Sequence, residues 1–563
     1  MTIVEEIKDH IAEVLVSVGA DATPADVLLE HPAEMSHGDF ATNVALVYAK
    51  KIGENPRVLA EKIAESLRKK EIAGVADVST AGIGFVNIVL VNHVFVEEIK
   101  KVGEEGSEYG KGKTLSGKKV LVEYTQPNPF KPFHIGHLMS NAIGESIARL
   151  VAWAGADVIR ANYQGDVGLH VAKALWGMHA LGVSPDDIEG IGKAYAHGNT
   201  MYEDDDTAKK EIISINAHIY AHDDAVLDAV YMKGREVSLK HFEELYKTLG
   251  TKFDAYFFES EVWEKGREAV LAHVGTVFEE SDGAIVFPGE KYGLHTRVFI
   301  NTAGLPTYEA KEIGLALQKL ERYPDTDIFI VTTAVEQEEY FKVVIKALTL
   351  MYPHLEGKFK HVTHGMMRLP SGKMSSRMGN VVTGESLLSD VTELAKEKLI
   401  QNDVSDDGHT IASCVAVSAI KYGILRQEIG KSVAYDEERW LSFEGDAGPY
   451  LQYSAVRARS VVGKAQEAGI IPNTHVFEGD IGETERLIAR FPEVAEESAR
   501  LFAPHRLVTY LTELAHAFNT YYAQVKIVGD DGEAPYRVAL ALATAHVLEN
   551  GLTLLGIFLP EKM

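Results

Sequence analysis

The feature that most constrains the fold is a strand, a helix and a second strand that follow one another between residues 120 and 168. VLVEYT (120–125) has the apolar pattern of a buried strand, and GHLMSNAIGESIARLVAWAG (136–155) has the apolar spacing of an amphipathic helix. DVIRANYQGDVG (157–168) is typical of a strand that runs into a glycine turn. This order predicts a βαβ unit and hence a parallel sheet.

The same alternation is repeated further along the chain. DIFIVTT (327–333) is predicted to be a strand, EEYFKVVIKALTLM (338–351) a helix, and FKHVTHGMMRL (359–369) a further strand segment. Between the two halves, the residues from roughly 180 to 290 have a mostly helical pattern. We interpret that stretch as an insertion or connecting subdomain.

Segments of different composition flank this α/β region. Residues 1 to about 110 combine helical periodicity with FVNIVL (85–90), whose β-branched residues predict a strand, and a Gly-rich charged connector follows at 103–119. From about residue 405 onward strand signals vanish, and VTYLTELAHAFNTYYAQ (508–524) has the spacing of one buried helix face. We predict a small α+β domain at 1–112, an α/β domain at 113–400 and a helical bundle at 401–563.

Composition narrows the class of protein. The 563 residues carry a net charge of −26, which argues only weakly against a nucleic-acid partner because local basic faces remain available, such as residues 50 to 71. Cys414 is the single cysteine, so an intramolecular disulfide and a Cys-based zinc site are excluded. The N-terminus has no apolar signal region, and no stretch approaches the length of a membrane span. We expect a cytoplasmic protein.

Two apparent motifs are set aside. Gly112, Lys113 and Thr114 look like the end of a P-loop, but Ser107 stands where the pattern requires glycine, and the segment precedes a strand. His218 and His222 have the spacing of metal ligands, but no Glu follows the first histidine as HExxH requires. A pair of histidines on a helix surface is the better interpretation, and no metal site is predicted.

The junction between the first predicted strand and helix has the chemistry of a nucleotide site. A strand ending at Thr125 and a helix beginning near Gly136 place backbone N–H groups and a positive helix end at the carboxyl edge of a parallel sheet. His134 and His137 can each donate a hydrogen bond to phosphate, and Gly136 leaves room for a flat base against the backbone.

A second element, SGKMSSRMGN (371–380), is a Gly-, Ser- and Lys-rich loop after a predicted strand segment. Together with HIGH at 134–137, it resembles the HIGH and KMSKS signatures of class I aminoacyl-tRNA synthetases. Nearly the whole chain is similar to one family of that class, the arginyl-tRNA synthetases. The similar segments include GDFATNVAL (38–46), GFVNIVL (84–90), RANYQGDVG (160–168), PTYEAKEIGLAL (306–317), LSFEGDAGPYLQYSAVRARSVV (441–462), AFNTYYAQVKIV (517–528) and ENGLTLLGIFLPEKM (549–563).

The resemblance implies an α/β Rossmann-type catalytic domain, a small α+β N-terminal domain that recognises the tRNA elbow, and an all-α C-terminal anticodon-binding bundle. It also implies the ligation of L-arginine to the 3′ end of tRNA(Arg) through an arginyl-adenylate. ATP, bound with Mg²⁺, is the substrate for that first step, and no structural metal is implied. A monomer without a membrane partner is expected.

The resemblance also assigns an arginine pocket. In the family a guanidinium lies between two carboxylates, which correspond by motif to Glu123 and Glu312. Asn128 corresponds to the residue that positions the polar end of the amino acid, Tyr308 to the residue beside the guanidinium, and Gln337 to a further polar contact. Most of the family has Asp where this chain has Glu312, so the pocket must accommodate one more methylene.

The expected ATP-binding residues are His134, Gly136, His137, Lys373, Met374, Ser375 and Ser376. The second lysine of KMSKS falls on Ser376, and synthetases of this family that lack it carry a compensating lysine just before HIGH. Lys131 occupies that position. The catalytic residues implied are therefore Lys131, His134, His137 and Lys373, which would offset the negative charge that builds on the phosphates.

For tRNA, the resemblance implies that Phe85 and Asn87 contact the elbow, and that Tyr450, Tyr453 and Arg457 contact the anticodon. Aromatic rings and guanidinium groups suit unstacked RNA bases, although both tyrosines could equally belong to a helical core.

Two other functions stay open from the sequence. One is an enzyme that makes a small adenylate without tRNA, which would leave both outer domains unexplained. The other is a non-catalytic tRNA-binding relative, indicated only by Ser376 and Glu312.

Overall fold

The protein is described by a computed structural model that covers residues 2–32, 34–368, 383–401, 410–477 and 479–563. Its contacts divide the chain into two compact units. Unit 1 comprises Met1–Tyr109, Arg457–Phe491 and His516–Val547, and unit 2 comprises Gly110–Val456, Pro492–Ala515 and Leu548–Met563.

The helices, in chain order, are α1 (Ile3–Ser17), α2 (Val44–Ile52), α3 (Pro56–Lys70), α4 (Asn92–Glu105), α5 (Ile135–Trp153), α6 (Leu169–Leu181), α7 (Ile188–Asp204), α8 (Asp206–Ala221), α9 (Ala225–Leu249), α10 (Glu259–Ala272), α11 (Tyr308–Arg322), α12 (Glu338–Met351), α13 (Gly384–Gln401), α14 (Thr410–Leu425), α15 (Glu437–Trp440), α16 (Gly448–Glu467), α17 (Glu483–Arg500), α18 (Pro504–Gln524) and α19 (Ala534–Leu554).

The strands are β1 (Phe40–Thr42), β2 (Val75–Ala81), β3 (Phe85–Leu90), β4 (Lys119–Glu123), β5 (Asp157–Gln164), β6 (Ala255–Phe258), β7 (Glu279–Ser281), β8 (Ala284–Phe287), β9 (Arg297–Ile300), β10 (Ile328–Ala334), β11 (Phe359–His364), β12 (Met367–Arg368) and β13 (Val433–Ala434).

Unit 1 is built on an antiparallel sheet in the order β1, β3, β2. Its apolar core also takes in Ile481 and Tyr536 from the C-terminal part of the chain. The buried carboxylate of Asp39 joins these parts, because it accepts the N–H of Leu90 at 2.8 Å and pairs with Arg486 at 2.7 Å. Residues from the first and third predicted domains therefore share one core, and the boundaries at 112 and 400 stay a prediction.

Unit 2 contains the expected parallel sheet, so the predicted class of fold is confirmed. Its five strands lie in the order β11, β10, β4, β5, β6, and every neighbouring pair is parallel. The central strands are continuous apolar runs because both faces of the sheet are covered. The helix predicted at 338–351 is α12 with the same bounds.

Several short strands were not expected from the sequence. Strand β6 lies inside the range predicted to be mostly helical and forms one edge of the parallel sheet. Strands β7 and β8 of that range pair antiparallel with each other, and β8 pairs with β9. Strand β13 lies where strand signals vanish and pairs with β12. Segments of two to four residues are too short to show a period.

Helix α5 is fixed directly against the sheet. A Cβ atom at Gly144 would lie 2.2 Å from the Cβ of Tyr124, so only glycine permits this close approach of helix and strand. On another side, the hydroxyl of Ser146 donates to the carbonyl of Leu554 at 3.0 Å. The first turn of α5 is thereby held at the carboxyl edge of β4. In the part of the chain that the structure describes, we find no helix with the length and apolar character of a membrane span.

Candidate active site

The carboxyl ends of the five parallel strands lie along one edge of the sheet. Glu123 is the last residue of β4, Glu259 follows β6, and Gln337 comes shortly after β10. Helix α5 begins at the same edge with His134 as its N-cap. Parallel α/β sheets bind ligands at this edge.

The loop between β4 and α5 has an unusual backbone. Thr125, Gln126 and Phe130 have φ values of 76°, 54° and 67°, a region that residues other than glycine rarely adopt. Hydrogen bonds hold the conformation: Thr125 N–H donates to the hydroxyl of Ser140 at 2.9 Å, and Phe130 N–H donates to the hydroxyl of Ser238 at 3.1 Å. Strain that the surroundings enforce in this way concentrates at functional sites.

His134 and His137 pack against each other at the start of α5. Their ring centroids are 3.5 Å apart, and the backbone N–H of His134 donates to Nδ1 of His137 at 3.2 Å. Desolvation, with smaller contributions from Lys131 and a neighbouring histidine, lowers the pKa of His134 and lowers that of His137 further. Because Nδ1 of His137 accepts a hydrogen bond, the neutral ring carries its proton on Nε2. Both rings are therefore neutral hydrogen-bond donors at pH 7.

Gly136 lies beneath the first of these rings. A Cβ atom at this position would lie 2.9 Å from Cε1 of His134. The glycine thus allows the His134 ring to fold over the first turn of the helix, and the space for a base that the sequence suggested stays a prediction. Any side chain here would displace the ring.

Lys131 is a half-buried cation close to the two histidines. Its Nζ lies 5.3 Å from the ring centroid of Tyr195. Desolvation and the positive charge of Lys173 lower the pKa of Lys131, which makes its proton easier to share with an anionic ligand. The positive charge of Lys131 is near enough to lower the pKa of both histidines, and its catalytic role stays a prediction.

The loop predicted to bind the nucleotide lies outside the described residues, with Lys373, Met374, Ser375 and Ser376. Thr383, the first described residue after it, forms an antiparallel bridge with His134. The N–H of Gly384 donates to the carbonyl of Phe133 at 2.7 Å. The C-terminal flank of the loop is thus joined to the first residue of the HIGH run.

Glu123 is fully buried, and both of its carboxylate oxygens are engaged. Nε2 of Gln126 donates to Oε1 at 2.6 Å, and Nζ of Lys319 forms an ion pair with Oε2. The positive φ of Gln126 turns its side chain back over the end of β4. The orientation of the Glu123 carboxylate is therefore fixed from two sides.

Glu312 lies on α11, two helical turns before Lys319. Desolvation and the nearby charge of Glu123 raise the pKa of Glu312, while Lys319 opposes that shift. Glu312 and Lys319 line a pocket with Val331, Val344 and the ring of Phe341. The structure thus brings the two predicted guanidinium ligands close enough to affect each other's charge.

The other predicted arginine contacts differ in their surroundings. Oδ1 of Asn128 accepts the N–H of Gly165 at 2.9 Å, which fixes the amide at the sheet edge. Tyr308 is 71% exposed, and Nζ of Lys311 lies 5.3 Å from its ring. Gln337 is exposed at the N-terminus of α12. Asn128 is already fixed, whereas the two others lie open to solvent.

The site also contains charged residues that the sequence did not single out. The buried carboxylate of Glu259 pairs with Lys311 at 2.5 Å, and a Cβ at Gly165 would lie 3.2 Å from its Oε2. Buried Lys319 is the other such residue. A signal for Lys319 exists, because it lies seven residues after Glu312 and so on the same helix face. The sequence holds no comparable signal for Glu259.

The residues predicted to contact tRNA are placed as follows. In unit 1, Phe85 is 37% exposed at the start of β3, whereas Asn87 on the same strand is buried. Also in unit 1, Arg457 donates to Oδ1 of Asn519 at 2.6 Å. In unit 2, Tyr450 is 8% exposed and Tyr453 is half-buried. Phe85 is the most accessible of these side chains.

Metal sites are a separate question. His218 pairs with Asp223 at 2.6 Å, and His222 pairs with Asp228 at 3.0 Å, so each histidine has its own aspartate partner. Across 2–32, 34–368, 383–401, 410–477 and 479–563, there is no group of three or more His, Cys, Asp or Glu side chains with the arrangement of a metal site.

Family models match three consecutive parts of the chain. Residues 98–434 match the catalytic domain described as "tRNA synthetases class I (R)". Residues 451–563 match the DALR anticodon binding domain, and residues 5–90 match the arginyl tRNA synthetase N terminal domain.

Individual proteins are similar over the full length. An arginine–tRNA ligase of Treponema denticola is 29% identical, with 96% of this chain and 95% of the relative covered. An arginine–tRNA ligase of Thermococcus sibiricus is 28% identical, with 99% of this chain and 98% of the relative covered. The solved structure of an arginyl-tRNA synthetase of Thermus thermophilus has a TM-score of 0.81 at 24% identity, with 99% of each chain covered.

Proposed function

Because the chain belongs to the class I arginyl-tRNA synthetase family, we propose that it joins L-arginine to the 3′ end of tRNA(Arg). In the first step the carboxylate of arginine attacks the α-phosphorus of ATP, forming arginyl-adenylate and releasing pyrophosphate. In the second step the terminal ribose hydroxyl of tRNA takes the arginyl group and AMP is released. ATP is the substrate as its Mg²⁺ complex.

The identity of the amino-acid substrate is inferred from two neighbouring carboxylates. Glu123 at the carboxyl end of β4 lies close enough to Glu312 on α11 for its charge to raise the pKa of Glu312, and Lys319 already offsets part of the negative charge. A planar guanidinium can offer paired N–H donors to two carboxylates at once, which the single ammonium group of lysine cannot do in the same geometry. This pair of carboxylates therefore supports arginine as the substrate.

The residues at the start of α5 support adenylate formation. The helix N-terminus offers its positive end, the neutral His134 and His137 rings donate hydrogen bonds, and Lys131 supplies a positive charge. We assign to Lys131 the stabilisation of the pentacoordinate phosphorus, and to Lys373 and its neighbours in the loop the contacts to ATP. No covalent intermediate with the protein is needed, since positioning and charge stabilisation suffice.

The tRNA would be read by both ends of the chain. Phe85 is available for stacking on an elbow base. For the anticodon we propose contacts by Arg457 of unit 1 and, separately, by Tyr453 and the little-exposed Tyr450 of unit 2. A monomer in the cytoplasm fits this function.

The experiment is arginine-dependent ATP–pyrophosphate exchange by the purified chain. Reactions contain no tRNA, tRNA with an arginine anticodon, or a tRNA with a lysine anticodon, and lysine and glutamine replace arginine as controls. We expect exchange with arginine only and in the presence of tRNA(Arg) only, followed by formation of arginyl-tRNA.

The same reactions separate the rival functions. Exchange with a small acid that needs no tRNA would indicate an adenylate-forming enzyme of another kind. Binding of tRNA(Arg) without exchange under any condition would refute catalysis and support the non-catalytic tRNA-binding relative.

A further inference from the structure

We propose that Lys319 is a positioning residue that determines arginine specificity: it fixes the Glu123 carboxylate and offsets the negative charge that Glu312 takes on when a guanidinium binds beside it. This inference rests on the proposed function. Lys319 lies on α11 and is not among the residues that the family resemblance assigned to the pocket.

Lys319 helps to fix the carboxylate of Glu123 in one orientation. The Glu123 side chain is fully buried and Lys319 is 2% exposed, so this ion pair is shielded from water on both sides. Nζ of Lys319 binds one carboxylate oxygen and Gln126 donates to the other at 2.6 Å. A carboxylate has about four lone-pair positions, so two positions remain for the paired N–H groups of a guanidinium.

Lys319 also offsets the negative charge of the arginine pocket. Glu123 and Glu312 together carry two negative charges when ionised, and the substrate guanidinium carries one positive charge. Lys319 supplies the second positive charge, so the charges of Glu123, Glu312, Lys319 and a bound guanidinium sum to zero once Glu312 has released its proton. Glu259 and Glu309 are the other carboxylates that raise the pKa of Glu312. Without Lys319 the ionisation of Glu312 would be less favourable still, because Lys319 opposes the desolvation and the charge of Glu123 that raise the pKa of Glu312.

The alternative is that the pair only stabilises the fold. A buried ion pair loses much stability when one partner is removed, whatever its role. The chain offers a matched control in Arg149, which pairs with the buried carboxylate of Glu145 at 2.7 Å four residues earlier on α5, in the part of the helix away from the sheet edge. Loss of Arg149 also removes a cation from a buried carboxylate outside the amino-acid pocket, where Arg160 remains 3.5 Å from Glu145.

The test uses the full chain with Lys319→Met, Lys319→Arg and Arg149→Met. Aminoacylation of tRNA(Arg) gives kcat and the KM values for arginine and ATP between pH 6.5 and 9, and calorimetry gives arginine affinity directly. We expect Lys319→Met to raise the arginine KM by about tenfold or more, with the ATP KM changed by less than about twofold. The pH at which arginine binding improves should move upward, because Glu312 then loses the cation that favours its ionisation.

Two further results are required. Lys319→Arg keeps the charge and should restore most of the arginine affinity, and Arg149→Met should change thermal stability without changing the arginine KM or its pH profile. If Lys319→Met does not fold, Lys319→Gln, which keeps a donor but no charge, takes its place. An unchanged arginine KM and pH profile in the neutral variant would overturn the inference while leaving the proposed function intact. A wild-type chain that does not charge tRNA with arginine would overturn both.

Discussion

The buried amino group of Lys421 should make the free energy of unfolding depend on pH. Lys421 is fully buried in unit 2, and its Nζ donates to the carbonyls of Leu249 at 2.7 Å and Gly556 at 2.6 Å. Desolvation lowers the pKa of this group from 10.5 to about 7, against the attraction of Glu145. In the unfolded chain the group returns to its ordinary pKa, so the two states bind different numbers of protons between these values.

Because of this difference in bound protons, the free energy of unfolding depends on pH. Below pH 7 both states hold the proton, and the folded protein bears the full cost of a buried charge. Between pH 7 and 10.5 the unfolded chain holds a proton that the folded protein has released, so the free energy of unfolding rises with pH. The slope from this one group is about 1.4 kcal/mol per pH unit, or about 2 kcal/mol between pH 7.5 and 9.

The measurement compares urea unfolding of the wild type with that of Lys421→Met at several pH values in this range. Tryptophan fluorescence is a suitable probe, because one of the four tryptophans, Trp440, is buried and covers Gly423 on the same helix as Lys421. Loss of the two donated hydrogen bonds costs the variant about 1–3 kcal/mol per carbonyl, but that cost does not depend on pH. The difference in slope is therefore diagnostic.

Lys421→Arg is the control, because a guanidinium keeps its charge throughout this pH range. It should be destabilised at every pH and should show no rise relative to Lys421→Met. Parallel stability profiles for the wild type and Lys421→Met would refute the reasoning, since they would mean that Lys421 titrates alike in the folded and unfolded chains.

Three further predictions concern the proposed reaction. Lys131→Ala should lower kcat for pyrophosphate exchange by about 10²–10³ while leaving the arginine KM nearly unchanged, and an equal loss in arginine affinity would contradict the role in charge stabilisation. Because the raised pKa of Glu312 means that this group must release a proton to pair with a guanidinium, the arginine KM should fall as pH rises through that pKa. Glu312→Gln should abolish this pH dependence, and a persistent dependence would assign it to another group. Phe85→Ala should raise the tRNA KM by the equivalent of about 1–3 kcal/mol, whereas Asn87→Ala, at a buried position, should lower stability instead, and the reverse result would contradict the stacking role.

Strong local patterns account for what could be predicted from the sequence. Strands β4 and β10 are continuous apolar runs, and α5 and α12 are long enough to show a helical period, so their existence and order were predictable. Glu123 and His134 stand at the ends of such elements, which places both at the carboxyl edge of a parallel sheet. Strand β6 has four residues and carries no period, so only its pairing with β5 identifies it.

In the candidate site, the sequence reveals the residues that would contact the ligand but not the residues that hold them in place. A resemblance transfers residues that touch the ligand, because a motif is defined by those residues. It does not transfer the groups behind them, such as the Glu259 and Lys311 pair, whose contact joins the start of α10 to α11. The left-handed conformation of Gln126 is equally invisible in the sequence, because it depends on how β4 and α5 are fixed around the loop.

Charge counting along the sequence nevertheless points toward Lys319. A pocket for one guanidinium that contains a fully buried carboxylate, Glu123, and a half-buried one, Glu312, has one negative charge too many when both are ionised. An unpaired charge in a desolvated site is costly. The chain must therefore place a second cation beside them, and helix geometry favours positions on the face of α11 that carries Glu312. Lys319 is the lysine two turns away on that face, and it pairs with Glu123 rather than with the carboxylate of its own helix. The sequence can narrow the choice of cation, but only the packing of α11 against β4 decides which carboxylate receives it.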